Sequence, residues 1–434
     1  MTTAQGENVC ARETNGIALI FRALRYRNYR LFFCGQSISL IGTWMQRIAM
    51  SWLVYRLTGS AFLLGVVGFA GQIPTFLLAP FAGVLADRWN RHRTLIATQT
   101  LALLQALVLA ILVLTGTVEV WHIVTLAILL GTVNALDMPV RQSFIVQMIE
   151  GKEDLGNAIA LNSSMVNAAR LLGPSVAGIL IAAFGEGVCF LVNALSYIAV
   201  IAALLAMKIT PAPRRRPNGH VLAHLREGFS YAYGFTSIRY IILMLALVSL
   251  MGMPYQILMP VFAKDVLGGG PHTLGFLMGA SGLGALVGTV FLAAQKSARG
   301  FAPLIAIAAV IFGAGLIAFS LSHVVWFSML FVLVAGFGMM VQMASSNTVL
   351  QTVVDDDKRG RVMSFFTMAF MGMAPFGSLL AGFLANRIGA QTTLLAGGAA
   401  CIIAGALFAT KTRVIGETLH PICRKLEVVP DINP

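Results

Sequence analysis

Charge is what this sequence has least of. Of 434 residues, 11% are Asp, Glu, Lys or Arg, against about 25% in a soluble globular domain. That is too little to cover a chain of this length in water, which excludes a soluble fold. Acids are scarcer still, 17 against 30 basic residues, for a net charge of +13. Basic residues gathered into a patch would suggest nucleic acid. Here they are spread over many short loops, so no nucleic-acid partner is expected. Five cysteines (Cys10, Cys34, Cys189, Cys401 and Cys423) are scattered without a C-x-x-C pair. That spacing excludes a disulfide framework and a zinc ribbon. The chain also lacks a phosphate-binding glycine loop, a dinucleotide fingerprint and a nucleophile elbow. No cofactor, metal or catalytic residue is therefore expected.

What the chain has in abundance is apolar sequence, 58% of it. A membrane-spanning helix needs about 20 apolar residues. Twelve such runs are predicted: Leu31–Tyr55, Leu63–Ala86, Thr94–Leu114, Trp121–Val140, Ala158–Phe184, Val188–Met207, Ile238–Phe262, Leu274–Ala294, Ala302–Leu321, Val325–Leu350, Val362–Ala385 and Thr393–Ala409. Met1–Arg30 is polar and basic, without the apolar core or cleavage site of a signal peptide. The first run is therefore expected to span. The predicted organisation is a cytoplasmic segment 1–30, a six-helix half 31–207, a central linker 208–236, a second six-helix half 237–411 and a tail 412–434.

An even number of spans puts both termini on one side, and the basic residues choose the side. With the N-terminus inside, only Arg56, Lys264 and Arg387 fall outside, and Arg47 and Arg170 fall within helices. The remaining basic residues of the 30 all lie inside, a strong orientation signal that makes both termini cytoplasmic. The linker opens T-P-A-P-R-R-R-P-N-G, which no helix or strand accommodates. His220–Tyr233 follows as an amphipathic stretch suited to the membrane surface.

The two halves repeat. Gln147–Val192 and Gln351–Ala396 align without a gap, pairing Gly156 with Gly360 and Ala177–Gly185 with Ala381–Gly389. The Ala-Gly-x-Leu corner of both recurs at Ala82, Gly83 and Leu85, on the opposite side of the membrane. Inverted three-helix units nested in two parallel halves mark one class of secondary transporter.

The stretch Gly83–Arg93, G-V-L-A-D-R-W-N-R-H-R, is too charged for lipid and is predicted to be a hairpin between the second and third helices. It resembles the cytoplasmic loop motif of the major facilitator superfamily. Gly83, Leu85, Asp87, Arg88 and Arg91 match that motif. Asn90 stands where it has a second Gly, a position Asn tolerates when the turn is left-handed. The likeness narrows to the enterobactin-exporter-like branch at Leu24–Gln36, Gly42–Gln46, Ala135–Gln142, Asn167–Pro174, Leu225–Phe229, Met259–Ala263 and Arg359–Ser364. That branch contains siderophore exporters and drug efflux pumps of bacterial inner membranes. The resemblance implies an all-α, twelve-helix major facilitator fold. It also implies that Asp87 latches onto the positive N-terminus of the eleventh helix near Arg361–Ser364. Gly173, Pro174 and Gly178 resemble part of the antiporter motif on the fifth helix, and their physical meaning is close helix approach with a kink. Ala127 stands where related drug/proton antiporters carry a mid-membrane Arg.

The resemblance and the residues together predict a secondary transporter that exports an amphiphilic small molecule against protons by alternating access. A siderophore is the specific expectation. Multidrug efflux is the near rival, and a non-transporting receptor or scaffold of the same fold is a more distant one. The partners expected are the cargo, protons and the lipid bilayer.

Polar residues within spans mark the candidate site, because intramembrane charge is costly and usually functional. Gln36, Ser39, Thr43 and Arg47 share one face of the first helix, Asn134, Asp137 and Arg141 one of the fourth, and Ser163, Asn167, Arg170 and Pro174 one of the fifth. Gln256 and Gln342 are the candidates on the seventh and tenth. Arg47 and Arg170 either attract an anionic cargo or serve structure. In the structural alternative, Arg170 pairs with Asp137 and Arg47 extends to the surface. Asp137 is either a protonation switch or the partner of Arg141 four residues on.

Overall fold

The computed structural model describes residues 21–209, 235–295, 301–354 and 356–412. The expected surface helix at His220–Tyr233 lies outside them. Among the described residues the chain is helical, without a strand. The long helices are α1 Arg27–Thr58, α2 Ala61–Arg88, α3 Arg91–Leu114, α4 Val120–Met148, α5 Leu155–Phe184 and α6 Glu186–Leu205. The second half supplies α7 Ser237–Val266, α8 Pro271–Ala293, α9 Phe301–Leu321, α10 Val325–Val353, α11 Lys358–Ile388 and α12 Ala390–Ala409. Together they form two six-helix halves, as the resemblance implies. Eleven are long and apolar enough to cross a membrane. In α1 the residues Gln36, Ser37, Ser39, Thr43, Gln46 and Arg47 dilute the apolar run.

Lipid offers no hydrogen-bond partner, so each spanning segment must satisfy its own backbone as a helix. The side chains divide accordingly. On α3, Leu101, Leu104, Val108 and Ile111 form an exposed apolar stripe, while Thr98, Gln99 and Gln105 on the other face are buried. Polar groups inside and leucines outside reverse the pattern of a water-soluble helix.

Within the first half α1 packs on α5 and α6, α2 on α4, and α3 on α4 and α6. Within the second, α10 packs on α8 and α9, and α9 on α12. The repeat predicted from the sequence is visible in the backbone. Gly185 closes α5 with φ +82° and Gly389, 204 residues later, closes α11 with φ +87°. Only glycine adopts such angles without strain, and both allow an immediate turn into the next helix.

The halves meet along two seams, α5 with α8 and α2 with α11. Each seam has a glycine on both sides. A Cβ added at Gly178 would lie 2.9 Å from the Cα of Gly275, and one at Gly275 would lie 2.8 Å from the Cα of Gly178. Gly65 and Gly382 stand in the same relation, at 3.0 and 2.8 Å. All four lie toward the end of the bundle opposite the termini, near the starts of α2 and α8 and the ends of α5 and α11. The Tyr55 hydroxyl of α1 donates to Asp265 of α7 at that same end. On the terminus side, Asp356–Met371 packs on α7, α10 and the rest of α11, inside its own half. The molecule is thus closed on the far side.

The predicted hairpin at Gly83–Arg93 takes a different form. Helix α2 continues through Arg88, only Trp89 and Asn90 break the backbone, and α3 begins at Arg91. Asn90 is not left-handed but extended, at φ −73° and ψ 107°. It caps α3, its side-chain oxygen accepting from the Arg93 amide at 3.1 Å. Asn serves here as a helix N-cap, a role glycine fills less well. The side chains of 83–88, and with them the expected Asp87 latch, lie outside the described set. Helix α4, predicted to end at Val140, runs on through Arg141 to Met148.

A methyl group at either glycine seam must push two backbones apart. Gly178→Val and Gly382→Val are each expected to open the far side, at a cost of about 1–3 kcal/mol to the closed form. The check is labelling of a single cysteine placed at the far-side seam by a membrane-impermeant maleimide, which should rise. Gly156→Ala, with nothing within 4 Å of the added carbon, should leave labelling unchanged.

Candidate functional site

A cavity of about 190 Å³ lies between the halves. It is lined by Thr43, Gln46 and Arg47 of α1, Gln72 of α2, Asn134 of α4 and Gln256 of α7, among others. Met50, Leu64, Val67, Leu130, Ile257 and Met278 give it apolar walls. Three residues predicted from sequence, Arg47, Asn134 and Gln256, therefore share one cavity. Gln36 and Gln342 are buried and do not line it. Asn167 donates to the Ser163 carbonyl of its own helix at 3.0 Å.

Arg47 and Arg170 converge on a residue that sequence reasoning passed over. The guanidinium carbon of Arg47 lies 4.6 Å from the centre of the Trp44 ring, and that of Arg170 lies 5.9 Å from it. Trp44 and Arg47 are three apart on one face of α1, and that spacing could have drawn attention to them. Arg47 is exposed into the cavity and Arg170 is half-buried. Arg170 also comes within electrostatic reach of the Tyr255 hydroxyl of the other half, and Tyr255 OH is 2.5 Å from Ser281 Oγ. Among the described residues no carboxylate lies within ion-pair distance of either guanidinium. Space for Trp44 comes from Gly173, where a Cβ would meet the Trp44 Cβ at 2.5 Å.

The pairing of Arg170 with Asp137 does not form. Asp137 is buried and committed elsewhere. Its Oδ1 accepts from Thr98 Oγ1 and from Gln99 Nε2, both at 2.8 Å. Its Oδ2 lies 3.6 Å from Arg141 Nε, one helical turn away. Asp137 thereby ties α4 to α3, using acceptor sites on both oxygens. The physical reason is proximity, since Thr98, Gln99 and Arg141 surround it at the same depth.

A second buried network also escaped the sequence. Gln46 Nε2 donates to Gln105 Oε1 at 2.8 Å, and Asn193 Nδ2 donates to Gln46 Oε1 at 2.6 Å. Gln105 in turn reaches the Leu126 carbonyl at 3.3 Å. Three buried amides from α1, α3 and α6 thus satisfy one another, where each left unpaired would be costly. This network stiffens the first half behind the cavity wall.

With the geometry in view, the relatives take their place. The model of a family described as transmembrane secretion effector matches residues 19–421. The chain belongs to that family of major facilitator transporters. It is 27% identical over 370 residues to a staphyloferrin A transporter of Staphylococcus aureus, covering 84% of this chain and 91% of the relative. It is 24% identical over 390 residues to macrolide efflux protein A of Streptococcus pyogenes, covering 86% and 94%. Among solved structures it superposes on a bacterial homolog of the human lysosomal transporter Spinster, in an inward-facing and occupied conformation. That match has a TM-score of 0.71 and 14% identity, covering 92% of this chain and 98% of the other. The chain is a multi-pass membrane transporter and not an enzyme.

The roles assigned to Asp137 and its neighbours predict a stability effect. Asp137→Asn should destabilise the purified protein by about 1–3 kcal/mol, because two donors and Arg141 lose a charged acceptor. Thr98→Val should give a smaller loss. In the double variant the two losses should not add. Thermal unfolding in detergent, followed for all three, checks this.

Proposed function

We propose that this member of the transmembrane secretion effector family is an inner-membrane exporter of an anionic amphiphile, of which a siderophore is the leading example. The observation that carries this reading is that Arg47, which lines the central cavity, and Arg170, which shares the Trp44 ring with it, have no carboxylate within ion-pair distance among the described residues. A buried cation is expensive unless something neutralises it. An anionic cargo supplies the missing charge, and guanidinium forks bind oxygen ligands in fixed geometry. The apolar walls around Met50, Leu64, Ile257 and Met278 suit the rest of an amphiphile. The staphyloferrin A transporter among the relatives supports the same cargo class.

The distribution of basic residues supports a cytoplasmic position for both termini. The far-side closure then makes this form inward-facing, ready to load cargo from the cytoplasm. Export follows when the seams α5–α8 and α2–α11 part, the Tyr55–Asp265 bond breaks, and the cytoplasmic ends come together. In that second state Asp87 serves as the latch between α2 and α11. Protons moving inward supply the driving force. Asp137, held by Thr98, Gln99 and Arg141, acts as a tie between helices in this scheme and not as the proton carrier. Multidrug efflux is the second reading, supported by the apolar lining and by the macrolide relative.

Proteoliposomes carrying an internal pH dye test the proposal. A carboxylate siderophore, ionised at neutral pH, added with an imposed pH gradient should cause proton flux that a protonophore collapses. Arg170→Gln should abolish the cargo-dependent part. Asp137→Asn should retain it per folded molecule. Absence of cargo-dependent flux in the wild type contradicts proton-driven siderophore export, and loss in Asp137→Asn assigns the proton to Asp137.

A further inference from the structure

The indole of Trp44 brings together two positive charges that should repel. Trp44 lies on α1 where it meets α5, three residues from Arg47 and against Gly173. Arg47 is 4.6 Å and Arg170 5.9 Å from its ring centre. A ring face is negative and attracts guanidinium. It therefore offsets part of the repulsion while leaving the N–H forks unused, because the attraction acts through the ring face and not through the donors. The result is two preorganised forks within one ring's reach of each other, with no acid among the described residues to fill either. A monoanion in such a place neutralises one cation and leaves the other uncompensated. A dianion neutralises both.

We infer that Trp44, Arg47 and Arg170 form a two-anion site that selects cargo bearing at least two separate acidic oxygen groups. Trp44 acts in it as a positioning residue, through the two arginines it holds. The inference rests on the reading that cargo sits at Arg47 and Arg170, and it narrows that cargo from anions in general to those with two or more charges.

Graded probes test it without transport. Benzoate, isophthalate and benzene-1,3,5-tricarboxylate share one ring and differ in acid groups, and isophthalamide supplies the shape without the charge. Titration calorimetry on the purified wild-type protein at low salt should show isophthalate binding roughly tenfold tighter than benzoate, the gain expected for one added charge-assisted bond. Isophthalamide should bind no better than benzoate. Arg47→Gln and Arg170→Gln should each bring isophthalate down to the benzoate level. Trp44→Phe should keep the preference and Trp44→Leu should lose it. Equal affinity of the wild type for benzoate and isophthalate, or isophthalamide binding as tightly as isophthalate, overturns the two-anion site. An unchanged preference in folded Trp44→Leu overturns the role of Trp44. Because these outcomes are read from binding, their failure leaves export itself to be judged by the proton-flux assay.

Discussion

Two pairs of glycines hold the halves of this transporter together. Gly178 against Gly275 and Gly65 against Gly382 bring backbones close enough that no side chain fits between them. In a membrane there is little hydrophobic drive for helices to associate, so close backbone packing supplies much of the attraction. Such contacts are good when made and cost little to unmake, since no large side chain must be repacked. A seam of this kind suits an interface that parts and re-forms in every cycle. Its pseudo-symmetry follows from the internal repeat: Gly178 and Gly382 occupy matching places, 204 residues apart, as do Gly185 and Gly389. The Tyr55–Asp265 bond adds one directional contact to an otherwise non-directional closure.

The first half carries the polar machinery and the second half is largely apolar. Behind the cavity, Gln46, Gln105 and Asn193 satisfy one another, and Asp137 satisfies Thr98, Gln99 and Arg141. Apart from Gln99 Oε1, which has no partner, these groups are hydrogen-bonded or ion-paired, the usual condition of polar groups out of water. Arg47 and Arg170 break the rule. Among the described residues no carboxylate pairs with them, and the Trp44 ring beside both lowers the cost of their charge without cancelling it. The contrast separates groups that hold the scaffold from groups that wait for a ligand. Arg47 stands in the same cavity as Gln256 and Met278 of the other half, so the surroundings of this charge depend on how the halves sit.

The twelve spans, the repeat and the glycine motif on α5 were legible because each rests on local composition or on a fixed offset. Ranges missed mainly at the terminus-side ends. There Arg141 and Arg88 continue helices that an apolar-run criterion stops early. Asn90 was misread for a related reason: its residue type allows both a left-handed turn and an N-cap, and only the backbone decides. Arg47 and Arg170 were found from the rarity of charge in lipid, but their shared partner was not. Contact between Trp44 and Arg170 depends on how α1 crosses α5, which periodicity along either helix does not contain. For the same reason Gln105 and Asn193 passed unnoticed, and Asp137 could be assigned to Arg170 or Arg141 with equal logic until the packing of α3 on α4 was seen.

The central claim is that the positive cavity makes this an exporter of anions. The most direct test is efflux from cells expressing either the wild type or the Arg47→Gln, Arg170→Gln double variant at equal membrane abundance, with a carboxylate siderophore, ionised at neutral pH, and ethidium followed side by side. The account predicts that the wild type expels the siderophore, that the double variant does not, and that ethidium efflux is low for both. Siderophore efflux undiminished in the double variant, or efflux of ethidium alone, would contradict it.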